Sequence, residues 1–157
     1  MTNIQIDYMP DDPAVIQRVA EWHQKEWSHL NPWSLEERIR FMQGQGAQKT
    51  IPLTVLAWED GQPVASASLL THDMDIHPEW FPWLASVYVQ SEMRGRGLGS
   101  LVVERIEQEA RRLGLARFFL YTPDRASFYK RMGWNTLEEI NYKGVDVTIM
   151  DRVLEIA

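Results

Sequence analysis

Between Trp83 and Ser100 an apolar run, Trp83-Leu84-Ala85-Ser86-Val87-Tyr88-Val89, passes through Gln90-Ser91-Glu92-Met93 into Arg94-Gly95-Arg96-Gly97-Leu98-Gly99-Ser100. An amphipathic helical pattern follows at once. A strand that delivers the chain through closely spaced glycines to a helix start builds an anion-binding site. The glycines let the backbone approach a ligand, and the first helical N–H groups have no intrahelical acceptor. Arg94 and Arg96 add positive charge. A pyrophosphate satisfies these donors together, so the expected ligand is a phosphate-bearing cofactor. The plain alternative is a Gly-rich turn that binds nothing, which leaves the entropic cost of glycines at a helix start without an offset.

Spacing narrows the cofactor. A nucleoside triphosphate loop ends in Gly-Lys-Ser/Thr, whereas this one ends Gly99-Ser100 with no lysine. A dinucleotide fingerprint needs G-x-G-x-x-G directly after a strand. Here Gly95, Gly97 and Gly99 give G-x-G-x-G after a polar stretch, although Asp124 follows the next strand at about the ribose-binding offset, so a dinucleotide domain stays open.

Arg94-Gly95-Arg96-Gly97-Leu98-Gly99 also resembles the Gln/Arg-x-x-Gly-x-Gly/Ala signature of the GNAT superfamily of acyl-CoA-dependent N-acyltransferases, with Val87-Tyr88-Val89 as the strand upstream. A second block, Leu120 to Trp134, is similar to that family's strand, short helix and Tyr-x-x-x-Gly-aromatic ending. The resemblance is sharp from Trp83 to Trp134. It implies that two parallel strands splay and that the pantetheine arm of acetyl-CoA lies between them, held by the backbones of Val87, Tyr88 and Val89. The pyrophosphate would lie on Arg94, Gly95, Arg96, Gly97, Leu98, Gly99 and Ser100. It further implies that Tyr129 protonates the departing thiolate and that the Val89 N–H polarises the thioester carbonyl. Thr122 stands where many members carry an asparagine that contacts the pantetheine arm.

Composition suits a compact enzyme domain. At 157 residues the chain is long enough to bury about two thirds of its unfolded surface. Its net charge of −6 disfavours nucleic acid and anionic membranes and favours a cationic acceptor. With no cysteine, disulfides, thiolate metal sites and acyl-cysteine intermediates are excluded. No signal-like segment or bilayer-length apolar run is present, so a cytoplasmic location is expected.

Ile4, Ile6 and Tyr8 alternate as a first strand. Asp12-Pro13 caps a helix with Val15, Val19 and Trp22 on one face. Ser34 and Glu37 form a capping box for a second helix, with Leu35, Ile39 and Met42 inward and Gly44 as its stop. Strands over 53–58 and 64–70 flank the turn Glu59-Asp60-Gly61-Gln62. The long helix after the glycine loop should bury Leu98, Leu101, Val102, Ile106, Ala110 and Leu113, and Gly114 ends it. Then come a strand over 117–121, a short helix over 124–131 and a closing hairpin over 136–141 and 145–153. The expected fold is a single α/β domain of α+β type over residues 1–157. Its sheet is mixed and mostly antiparallel, with one parallel strand–helix–strand crossover and flanking helices.

A base for the acceptor is less plain. An alkylammonium of pKa about 10.4 costs about 4.6 kcal/mol to deprotonate at pH 7, and an α-amino group of about 7.8 only about 1 kcal/mol. No carboxylate lies on the strand before the glycine loop. The nearest titratable cluster is His72, Asp73, Asp75, His77 and Glu79, whose spacing matches no zinc pattern; no metal is expected, and His72 is the first candidate base. Seven tryptophans are the other signal. Trp27 and Trp33 near the first helices, and Trp80 and Trp83 beside Asp73 and Asp75, would suit an amine-bearing cation, whereas as plain packing residues they belong to the core. The expected activity is direct acetyl transfer from acetyl-CoA to a primary amine on a small molecule or peptide, by a monomer or homodimer. A non-catalytic acyl-CoA sensor is the competing class.

Overall fold

The structure, a computed structural model, describes residues 3–45 and 49–154. Seven strands form one sheet in the order β1-β2-β3-β4-β5-β7-β6. They are β1 (Ile4–Tyr8), β2 (Leu53–Glu59), β3 (Gln62–Leu70), β4 (Trp83–Val89), β5 (Arg117–Thr122), β6 (Asn135–Tyr142) and β7 (Val145–Val153). Only β4 and β5 are parallel neighbours. The mixed sheet with one crossover is therefore as expected. The expected single domain over 1–157 also takes in residues 1–2, 46–48 and 155–157, which lie outside the described residues.

Local chemistry sets the boundaries. In α1 (Pro13–Trp27) the Asp12 carboxylate accepts the Ala14 N–H, and Pro13 needs no donor at the first helical position. In α2 (Leu35–Met42) Ser34 and Glu37 exchange both bonds of a capping box. Asp60 and Gly61 both have φ above 50°, so the β2–β3 hairpin turns without splaying its strands.

Alternation sorts the strands' side chains onto two faces. Leu84, Phe118, Leu120 and Met150 pack with Val102, Val103 and Ile106 of α3 (Leu98–Arg112) and with Tyr129 of α4 (Ala126–Arg131). Each large apolar side chain fully buried here contributes roughly 1.5–3 kcal/mol. Trp83, Phe119 and Ile149 face the other way, with Leu30 and Met74. Alongside them, Ile16, Val19 and Ala20 of α1 pack with Met42 of α2 and Leu56 of β2. One expectation fails: Leu101 is 40% exposed and Val103 is buried in its stead. Leu101 opens the second turn of α3, beyond the edge of the sheet-facing stripe, so its hydrophobicity misled the periodicity.

Candidate active site

The strands β4 and β5 share one aligned pair, Trp83 with Phe119, where the Phe119 N–H donates to the Pro82 carbonyl at 3.0 Å. Beyond it they part. The cause lies on the far edge of β4. Ser66 and Ser68 of β3 align with Tyr88 and Ala85, two steps on one strand against three on the other, so β4 carries an extra residue. Ser86 sits there with φ 54°, and the Ser66 hydroxyl donates to its carbonyl at 2.9 Å. The extra residue shifts the parity of the strand, so that Leu84, Val87 and Val89 all face α3. It also re-aims the backbone. Tyr88 aligns with Ser66, and the Gln90 N–H reaches Val64 O at 2.9 Å, so alternation turns the amides of Val87 and Val89 toward the gap beside β5.

At the end of β4, Ser91–Met93 makes one 3-10 turn, and Gly95 and Gly97 take φ of 81° and 79°. Both values lie in the left-handed region that side chains disfavour. Gly97 caps α3 without any side-chain bond, and the first intrahelical bond runs from the Leu101 N–H to Gly97 O at 3.2 Å. The N–H groups of Leu98, Gly99 and Ser100 are thus presented together at the helix start. Both arginines of the loop already have partners within the protein. Arg94 donates from Nε to Val89 O at 2.9 Å and lies over the Tyr88 ring, and Arg96 pairs with Glu59 at 2.7 Å. Both side chains are engaged with their surroundings, and the amides at the helix start have no side-chain cap.

Opposite this loop stands α4. Gly99 lies where an added Cβ would sit 3.8 Å from both Val89 and Phe128, so β4, α3 and α4 meet at that point. Tyr129 is buried between Phe128 and Trp134. Its hydroxyl bonds to no described residue yet is not sealed from solvent. Burial pushes the phenol well above its ordinary pKa, so it stays protonated at neutral pH and is a weaker acid than an exposed phenol. Thr122 is buried, and its Oγ1 accepts the Arg125 N–H at 2.9 Å in the turn that launches α4. The hydroxyl proton is still available to a ligand.

The other sheet face opens into a cavity of about 530 Å³, lined by α1, α2, the 71–75 loop and the β6–β7 turn. Ser86 of β4 and Tyr121 of β5 both line it, so it reaches the strands where they part. Asp73 is in this wall, takes no bond from any described residue, and burial pushes its carboxyl up to about 7. Asp75 is exposed. The Tyr142 hydroxyl and Lys143, 3.4 Å away, hold its carboxyl below the usual range. His72 lies exposed at the rim, with Nε2 3.0 Å from the Pro78 carbonyl, so that nitrogen carries the proton.

Trp33 alone of the four candidate tryptophans lines the cavity, edge-on to Phe41. Trp83 is fully buried with its N–H on Trp80 O at 2.7 Å, Trp80 stacks on Phe119 and His77, and Trp27 packs on His23 and Tyr88. Packing claimed those rings because each offers a large area on the inward side of its element. His77 bridges Glu79 and Glu138, and among the described residues no group of three or more His, Asp or Glu side chains is placed to hold a metal ion.

Sequence reasoning missed three residues. His23 is fully buried in the cavity wall, and burial, with Arg38 nearby, pushes it down to about 3, so it is neutral. Ser66 uses its proton on Ser86, so His23 must donate from Nε2 to Ser66 Oγ, 2.9 Å away. Arg38 is 93% buried in the same wall and forms no ion pair with any described residue. Its place four residues before Met42, on the inward face of α2, was the available signal.

The splayed parallel strand pair beside an uncapped, glycine-led helix start is the arrangement that the resemblance to the GNAT superfamily implied. A family model described as acetyltransferase (GNAT) family matches residues 16–134, and the chain belongs to that family. Among solved structures it is similar to yncA of Salmonella typhimurium, determined with its cofactor acetyl-CoA. That match has 18% identity and a TM-score of 0.74, covering 97% of this chain and 94% of that one. An aminoglycoside 6'-N-acetyltransferase complexed with coenzyme A matches at 14% identity and a TM-score of 0.77, covering 95% and 96%. The ribosomal-protein-alanine N-acetyltransferase of Brucella melitensis matches at 18% identity and 0.74, covering 96% and 99%. At such identities the likeness is one of fold.

Proposed function

We propose that this chain binds acetyl-CoA in the gap between β4 and β5 and transfers the acetyl group directly to a primary amine. The observation that carries this reading is the meeting of two openings at one place. The gap faced by Val87 and Val89 and the cavity lined by Ser86 and Tyr121 converge where the strands part. Family membership and the uncapped start of α3 support the donor.

In the step envisaged, the neutral amine attacks the thioester carbon, the N–C bond forms and the C–S bond breaks. The Val89 N–H stabilises the carbonyl oxygen as charge develops. Tyr129 gives its proton to the departing thiolate. The proton lost from nitrogen passes to Asp73, which replaces His72 as the first candidate base. A carboxylate poised near 7 matches an amine at neutral pH, whereas His72 is at the rim with one nitrogen committed to Pro78. The reading extends to a cytoplasmic enzyme, monomeric or homodimeric, acting on small-molecule or peptide amines.

A mass-shift screen of amines, polyamines, amino acids and peptides with acetyl-CoA tests it, run beside thermal unfolding with acetyl-CoA and with NAD. Acetylated product is expected, with stabilisation by acetyl-CoA. Stabilisation by NAD and none by acetyl-CoA would sink the reading, and binding without turnover on any acceptor would favour a sensor.

A further inference from the structure

Arg38 is a buried cation that meets no anion among the described residues. Its Nε donates to Gln24 Oε1 at 2.5 Å and one Nη donates to Asn31 O at 2.8 Å, both neutral acceptors. The remaining N–H groups bond to no described residue and yet are not sealed, in a side chain that lines the acceptor cavity. A guanidinium taken out of water is normally matched by a carboxylate or phosphate, because the desolvation it suffers exceeds what two neutral bonds return. Lys143, the other cation of this wall, has such a partner in Asp75. Arg38 has none, and burial lowers its pKa, the signature of a charge awaiting compensation.

Its position fixes what the missing anion is attached to. Arg38, Asp73, Ser86 of β4 and Tyr121 of β5 all line one cavity, which reaches the strands where they part. A ligand in this cavity can therefore present an anion to Arg38 and an amine toward the gap. Asp73, the unpartnered carboxylate of the same cavity, suits the amine end.

We infer that the acceptor is an amino acid, whose carboxylate is bound by Arg38 while its amine faces the gap between β4 and β5. A planar guanidinium with free N–H groups fits a carboxylate by two parallel bonds. A polyamine or aminoglycoside brings only cations to that wall and leaves Arg38 uncompensated. This inference rests on the acetyl-transfer reading and narrows it.

The test uses matched pairs on the unmodified protein: each of the common amino acids against the amine left by removing its carboxylate, with thiol release and product mass as readouts. At least one amino acid should exceed its decarboxylated partner by about a hundredfold or more in kcat/KM, since a site built to bond a group rejects the analogue that lacks it. In Arg38→Gln that ratio should fall toward one, mainly through KM. If the variant does not fold, the matched pairs in the unmodified protein decide alone. Equal or better turnover of the decarboxylated amines overturns the inference while acetyl transfer stands. Stabilisation by acetyl-CoA with no amino acid acetylated overturns it too. Absence of any response to acetyl-CoA overturns the underlying function instead.

Discussion

The Ser66 hydroxyl donates to the carbonyl of Ser86 at 2.9 Å, at the place where β3 and β4 lose register. Ser66 is fully buried and also receives the His23 ring N–H, so one small side chain satisfies two buried groups and holds a left-handed serine in place. Ser66→Ala leaves a carbonyl and an imidazole N–H without partners, at about 1–3 kcal/mol each. Urea unfolding should show that loss. Because the extra residue aims Val87 and Val89, kcat with acetyl-CoA should drop as well; a variant as stable and active as the parent would show that the bulge holds itself.

Tyr129→Phe keeps the ring between Phe128 and Trp134 and removes only the hydroxyl, which bonds to no described residue. Stability should change little. Turnover should fall roughly tenfold to a thousandfold with acetyl-CoA affinity nearly unaltered, since only the proton donor is lost. Unchanged turnover would assign the protonation to water or to another group.

Gly99→Ala separates folding from cofactor binding by sign. The added Cβ meets Val89 and Phe128 at ordinary contact distance, and φ there is not left-handed. Replacing glycine by alanine in the first turn should therefore raise stability by up to about 1 kcal/mol. The same methyl stands at the helix start proposed to receive the pyrophosphate, so affinity for CoA should fall while the melting temperature of the free protein rises. Gly97→Ala, at φ 79°, should lose both.

The parts of the fold set by local rules were legible in the sequence. The Ser34–Glu37 box, the Asp12-Pro13 start, the Asp60-Gly61 turn and the glycine loop each follow from a few adjacent residues, and all formed. The strand splay came from resemblance, and its physical cause, the extra residue at Ser86, leaves no mark in composition or alternation. The acceptor side was poorly legible because it depends on which elements meet in space. Trp80 and Trp83 read as a recognition surface but were drawn into the core by Phe119. Arg38 went unnoticed although it stands one turn before Met42, because nothing local reveals that Gln24 and the Asn31 carbonyl enclose it.

Asp73→Asn tests the base and the cavity's electrostatics together. The folded carboxyl titrates at about 7, against about 3.9 for an unperturbed one, so folding favours its protonated form. That contribution is complete below about pH 4 and is lost as pH rises through 7. Asparagine mimics the neutral carboxyl in size and charge. The variant should therefore match the parent in stability near pH 4 and exceed it progressively up to pH 8, a divergence that thermal unfolding across pH would reveal. Activity should move the opposite way. In the parent, kcat/KM should climb with pH through an apparent pKa near 7 as Asp73 ionises, and the variant should lose that limb and roughly a hundredfold to ten-thousandfold of its rate. Salt should weaken acceptor binding only modestly, because Asp73 is half-buried and less screened than Asp75, which lines the same cavity but is exposed. A pH limb that survives in Asp73→Asn and vanishes in His72→Ala would return the role of base to His72.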